Sequence, residues 1–500
     1  MTIATLPMAE TPTIDYAATA FVLLCASLVL FMTVPGLALF YGGMSRAKSV
    51  LNMMMMSFGA AGVVGLIYVL YGYSMSFGSE NLGGIIANPF EKFGLAGTDG
   101  LINPFGYEGH GDIPELMFVG FQLTFAIITV ALISGAIADR VKFSTWLVFA
   151  GLWATLAFFP MAHMVWGGGL LSGAPTGLAA AIWVTLAYFP VAHMVWGGGL
   201  LSGSDSGLSA LLFGSTDGAA NVTPIDFAGG TVVHINAGMA GLVLALVVGK
   251  RLGFGKVAMR PHNVPLTMIG AGMLWFGWFG FNAGSELAPD GTAALVWVNT
   301  TVATCAAMLG WLLVEKLRDG HATSIGAASG VVAGLVAITP ACGALSPMGS
   351  IALGVVAGAL AAYAVGLKFR FGFDDSLDVV GVHLVAGLWG TIGAGLLATD
   401  GGLFYGGGVQ QTLLQIVIAV VALLVSGVVT LLIALALKAT MGWRIPEDAE
   451  VSGIDTAEHA ETSYDLVARG GRLGVTGSGP IHDARHHSES LSPASSEGAK

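Results

Sequence analysis

Five hundred residues would suit about three soluble domains, but 55% of this chain is apolar and only 10% charged, where a soluble globular chain carries about a quarter charged. A formal net charge of −11 excludes a nucleic-acid binder, and three cysteines (Cys25, Cys305 and Cys342) exclude a disulfide-built secreted domain. Long uncharged stretches recur from end to end, the pattern of an all-α polytopic protein whose solvent is the lipid bilayer. The 74 glycines spread through those stretches predict helices that pack with their backbones close, because lipid gives no hydrophobic drive to associate.

Residues 1–15 read as a short extracytoplasmic N-terminus. The first fourteen hold no Lys or Arg, so the first apolar run lacks a signal peptide's basic leader and reads as an uncleaved span. A membrane domain then fills 16–440, with spans expected at 16–40, 50–77, 116–138, 143–164, 227–248, 264–282, 292–314, 323–341, 351–367, 379–397 and 413–437. With eleven spans and the N-terminus outside, 18 of the 19 basic residues fall on the cytoplasmic side and only Lys92 outside. Counting 174–203 as a twelfth span would reverse everything from Lys250 onward. The charges therefore favour eleven. The loop 78–115 is long and acidic, residues 441–466 form a polar cytoplasmic tail, and 467–500 read as a solvated disordered tail despite His482, His486 and His487.

Residues 152–173 and 182–203 match at 18 of 22 positions with a constant offset of thirty, a local tandem duplication. The first copy follows FSTWLVFAG and has the length to carry the fourth span outward. The second, preceded by Pro175 and Gly177, is expected on the outer side as an insertion at about 174–203.

The spans hold almost no charge at their centres; Asp226, Asp378 and Glu286 sit near ends. Sodium- or proton-coupled carriers usually keep a carboxylate at the midplane, so this absence weakens the active-carrier reading. Two histidines do lie well inside spans, His234 in FAGGTVVHINAG and His383 in LDVVGVHLVAG, each five to eight residues beyond an Asp. A lone buried histidine is more often structural; two in similar settings, about five spans apart, suggest a pair lining a path. Two ligands fall short of a zinc enzyme, and the pattern calls for no metal or cofactor. Rings near span ends, in FQLTF at 121–125, VWGGG at 165–169 and WFGWFGFNAGS at 275–285, fit an interfacial aromatic belt or a vestibule that attracts a small cation.

The motifs FYGG at 40–43, AHMVWGGG at 162–169, DFAGGTVVHINAG at 226–238, GKRLGFGK at 249–256, WFGFNAGS at 278–285, TPACG at 339–343 and DVVGVH at 378–383 resemble those of the ammonium transporter (Amt/Mep/Rh) family, in family order over roughly 16–466. The resemblance implies a homotrimer in the cytoplasmic membrane, each subunit with its own pore and two inverted five-helix repeats followed by a final helix. It implies ammonium, with methylammonium as analogue, as the transported species. By similarity Trp166, Ser285 and Phe125 would recruit the cation, Phe125 and Phe281 would close the pore mouth, His234 and His383 would form a hydrogen-bonded pair in the pore, and Asp226 would be a structural acid. Trp196 stands in an identical local motif, which leaves Trp166 and Trp196 both open for the recruiting ring. The stretch 442–466 resembles the tail through which PII-type regulatory proteins act in that family.

Overall fold

The computed structural model describes residues 14–78, 81–82, 86–102, 112–159, 212–216, 219–469 and 472–476. Eight helices among them are long and apolar enough to cross a membrane: α1 Tyr16–Met44, α2 Val50–Phe77, α3 Glu115–Ile137, α6 Val264–Glu286, α7 Gly291–Asp319, α9 Pro347–Phe371, α10 Val380–Leu397 and α11 Gln410–Thr440. Three shorter apolar helices complete the order: α4 Phe143–Leu156, α5 Val233–Val248 and α8 Ser324–Ile338. Each coincides with one of the apolar runs expected from the sequence, and six run past its bounds by one to five residues at one end or both. Strands among the described residues form short antiparallel pairs in connections, such as Leu101–Ile102 with Ile113–Pro114, and in the C-terminal stretch.

Helix starts follow local chemistry. Asp15, Asn263, Asp290, Thr323 and Ser346 each accept a hydrogen bond from the amide three residues on, satisfying a donor that the first turn leaves over. Packing repeats with an offset of five helices. The pairings α1 with α3, α2 with α3 and α2 with α4 recur as α6 with α8, α7 with α8 and α7 with α9. The centre is formed by α1 against α6 and α5 against α10. Small residues permit these approaches: a Cβ on Gly358 of α9 would sit 1.9 Å from the Ala307 carbonyl of α7, and one on Gly270 of α6 would sit 2.3 Å from the Phe40 amide of α1.

One end of the bundle gathers the charges. Arg46, Asp139, Arg140, Arg251 and Asp374 come from the α1–α2, α3–α4, α5–α6 and α9–α10 connections. Arg251 bridges Asp139 (2.9 Å) and Asp374 (2.8 Å), while Arg46 also pairs with Asp139. Arg140, fully buried, donates to the Gly249 and Asp374 carbonyls and to Ser376 Oγ. Burial alone would raise the Asp139 carboxyl, but Arg251 and Arg46 hold it below the usual carboxylate range. At this basic end α4 starts (Lys142 N–H to the Trp443 carbonyl) and α5 stops (Gly249 to Arg140). The described residues that flank 160–211 therefore both belong to chain leaving, and returning from, the opposite end.

The C-terminal stretch crosses the basic end. Its short helices α12 Glu447–Ser452 and α13 Ile454–His459 supply caps to the membrane helices. Asp455 accepts from the Leu51 and Asn52 amides at the start of α2, Glu458 from the Phe143 amide at the start of α4, and Glu450 from the Leu252 amide. Tyr464 OH meets His262 at 3.0 Å. Beyond it, strands Asp465–Arg469 and Arg472–Thr476 pair antiparallel; residues 477–500 and the insertion at 174–203 lie outside the described residues.

Candidate pore

The two histidine helices are built alike. Each opens with a six-residue turn of the wider π type, Gly230–Ile235 leading into α5 and Val380–Val385 at the start of α10, and each histidine sits in that turn. Such turns insert an extra residue, displace one side chain from the regular spiral, and recur at functional sites. Four residues beyond each histidine stands a glycine, in HINAG and HLVAG. A Cβ on Gly238 would lie 2.6 Å from the Leu384 amide, and one on Gly387 would lie 3.4 Å from His234 Cβ. The helices cross at these glycines. That crossing brings the imidazoles to 5.5 Å between centroids, 24° from parallel.

An aspartate eight residues ahead of each histidine fastens its helix start. Both carboxylate oxygens of Asp226 accept from the Thr231 amide at 3.2 Å, and Asp375 accepts from the Val379 (3.1 Å) and Val380 (2.7 Å) amides. A carboxylate at a helix N-terminus satisfies free donors and complements the helix dipole. Burial pushes the Asp375 carboxyl up to about 6, against the pull of Lys368. The TPACG stretch packs on the first of these turns: Phe227 N–H bonds the Pro340 carbonyl, and a Cβ on Gly230 would strike the Pro340 ring.

The rings form a column. Phe125 of α3 stacks on Phe281 of α6 at 4.6 Å and 20°. Phe281 lies 5.9 Å from His234, which is followed by His383. Trp278 stacks on His234 at 5.2 Å, oriented by its Nε1–H bond to Thr339 Oγ1. Both histidines are buried, at 1% and 2% exposure. Neither nitrogen of His234, nor Nδ1 of His383, has a hydrogen-bond partner. Ser285, half-buried at the end of α6, donates to the Phe281 carbonyl at 2.8 Å. Trp166 and Trp196 lie outside the described residues.

The column thus brings together Phe125, Phe281, His234 and His383, with Asp226 and Ser285 beside it. The pair expected to share a hydrogen bond instead lies ring beside ring. Sequence reasoning left out Asp375, Trp278 and the glycines at the crossing. Two signals pointed to some of them: aspartate precedes histidine by eight residues in both helices, and glycine follows by four.

The profile of the Ammonium Transporter Family matches residues 20–176 and 174–464, breaking between the two copies of the repeat. An ammonium transporter of Mycobacterium tuberculosis is 50% identical over 482 residues, covering 92% of each chain. One from Aquifex aeolicus is 43% identical over 91% of this chain and 94% of its own. Among solved structures, a Sensor Amt Protein matches with a TM-score of 0.70 at 25% identity, over 89% of this chain and 98% of that one. Candida albicans Mep2 matches with a TM-score of 0.69 at 28% identity, over 87% of both. The chain belongs to the ammonium transporter family.

Proposed function

We propose that this protein carries ammonium across the cell membrane, through a path along the column of Phe125, Phe281, His234 and His383. The observation that carries the reading is the pair of buried imidazoles, ring beside ring, in which both nitrogens of His234 and Nδ1 of His383 have no protein partner. Buried polar groups are nearly always hydrogen-bonded, and an exception calls for an explanation, of which a functional role is one. Here they supply donors and acceptors to a small polar molecule in an otherwise apolar wall.

Ammonium and potassium ions are close in size, so selection has to use what ammonium alone offers: directional hydrogen bonds and a proton it can lose. Trp166, the Ser285 hydroxyl and Phe125 supply a ring face and an acceptor for the first. The stacked phenylalanines and the apolar path serve the second, since an intact ion pays heavily to enter while ammonia enters readily. Imidazoles can exchange donor and acceptor roles along the pair, giving the proton a route of its own. Asp226 holds the backbone of the α5 turn and takes no part in transfer.

The same reading takes the eleven helices as eleven spans in two inverted five-helix repeats plus α11, supported by the packing that recurs five helices on. The N-terminus lies outside and the basic end is cytoplasmic, supported by the charge bias. The assembly is a homotrimer, and the tail over the basic end is the surface for a PII-type regulator. Full-length protein in liposomes should give ammonium-dependent current with no potassium current. His234→Asp should admit potassium, because a carboxylate can hold a cation that the neutral rings do not. A folded His234→Asp variant that still excludes potassium would refute the pore assignment.

A further inference from the structure

The final helix carries a row of polar side chains that its lipid-spanning role does not call for. On α11, Gln411 donates to the Thr223 carbonyl at 2.8 Å. One turn on, Gln415 donates to the Ile225 carbonyl (2.7 Å) and accepts from the Ile225 amide (3.0 Å), so its amide pairs with that residue as a neighbouring strand would. The spacing fits: an i, i+4 step on a helix rises about 6 Å, close to a two-residue step of extended chain, and the segment through 223–225 is neither helix nor turn. Gln415 Nε2 also donates to the Thr391 carbonyl of α10 at 3.1 Å, and Gln415 is fully buried.

These bonds close a ring. Ile225 is joined covalently to Asp226; Asp226 holds the Thr231 amide; the Thr231 hydroxyl meets the Thr391 hydroxyl at 3.1 Å; and the Thr391 carbonyl returns to Gln415. Thr231 lies three residues before His234, and Thr391 two turns beyond His383. The circuit therefore fixes α5 against α10 beside the imidazole pair, from a helix that carries neither histidine. Thr412 and Ser426 extend the same face, donating to the Gly395 carbonyl of α10 and the Asn236 carbonyl of α5.

We propose that Gln415 is a positioning residue of the pore: it sets the separation of the two histidine helices and holds the segment that bears Asp226. This rests on the reading of the α5–α10 crossing as the transport path. Losing the amide frees Ile225 and lets the helices drift, and the pore then loses affinity and discrimination before it loses its fold.

The test uses full-length protein in liposomes. Gln415→Met keeps the volume and removes all three bonds; Gln411→Met removes one; Leu414→Ala makes a cavity at a buried neighbour outside the circuit; His234→Asp reports on the pore. Half-saturating ammonium should rise roughly fivefold to tenfold in Gln415→Met, as expected for lost hydrogen bonds at a positioned site. The ratio of ammonium to methylammonium current should shift with it. Gln411→Met should move the same way by about twofold, on the scale of a single hydrogen bond, and Leu414→Ala should lower melting temperature while leaving both readouts unchanged. Wild-type half-saturation and ratio in Gln415→Met overturn the proposal, as does an equal change in Leu414→Ala. If Gln415→Met is not recovered folded, an unchanged Gln411→Met overturns it instead. Should His234→Asp alter transport while the glutamine variants do not, only the role of Gln415 falls. Should His234→Asp behave as wild type, the pore reading falls and this proposal with it.

Discussion

Leaving imidazole nitrogens unpaired in an apolar wall has a stability cost on the order of 1–3 kcal/mol per group. Beside them, Asp375 works at the edge of its range. Its carboxyl titrates near 6 in the folded protein and near 3.9 in an unfolded chain, so between those values the folded state binds the extra proton. Stability should therefore fall as pH rises from about 4 to about 6, then level off. Asp375→Asn should flatten that limb in thermal unfolding of detergent-solubilised protein. A limb of unchanged slope in the variant would assign the titration to another group. The sequence reading named Asp378 and passed over Asp375, though both precede His383; only the backbone, with two amides aimed at Asp375, separates them. Trp278 was equally hidden, because a tryptophan among other rings at a span end looks like an interfacial anchor until its neighbour is seen to be His234.

At the scale of elements, the crossing of α5 and α10 depends on two residues without side chains. A Cβ at Gly238 would meet the Leu384 backbone, which cannot rotate away. Gly238→Val should cost roughly 1–3 kcal/mol through forced overpacking. It should also abolish ammonium current even in the folded fraction, since the rings could no longer approach. Normal current from folded Gly238→Val would show that the crossing tolerates spreading. The helices themselves were legible: apolar length located the eight membrane-length helices and the three shorter apolar ones among the described residues, with ends within a few residues for most. Their partners were not, because glycine marks that two backbones approach without saying which. The polar face of α11 escaped for a related reason. Gln411 and Gln415 sit in a strongly apolar run, and only the extended segment lying along them gives those amides work.

Over the whole molecule, the C-terminal stretch acts as a set of remote caps. Asp455 does for α2 what Asp290 does for α7, but from some four hundred residues away. Asp455→Ala should destabilise by about 0.5–2 kcal/mol, the range for loss of an N-cap. Deleting 442–500 should alter flux, whereas deleting 477–500 should leave it near wild type; equal effects would mean that the caps do not matter to transport. Orientation can be read chemically. In a cysteine-free background, Ser206→Cys should react with an impermeant thiol reagent on intact cells, and Val257→Cys, on an exposed loop of the basic end, should not. Reaction of both would break the assignment of sides.

Because α4 departs from the basic end and α5 comes back to it, chain added between them has to begin and finish on one face. Such an addition is silent to parity. It changes neither the direction of α5 to α11 nor the handedness of their packing, whatever its own length. A thirty-residue duplication could therefore be acquired there in a single genetic step, with no compensating change downstream. The same junction is the place to splice in a reporter domain at the end opposite the charged connections while the machinery below it stays in register.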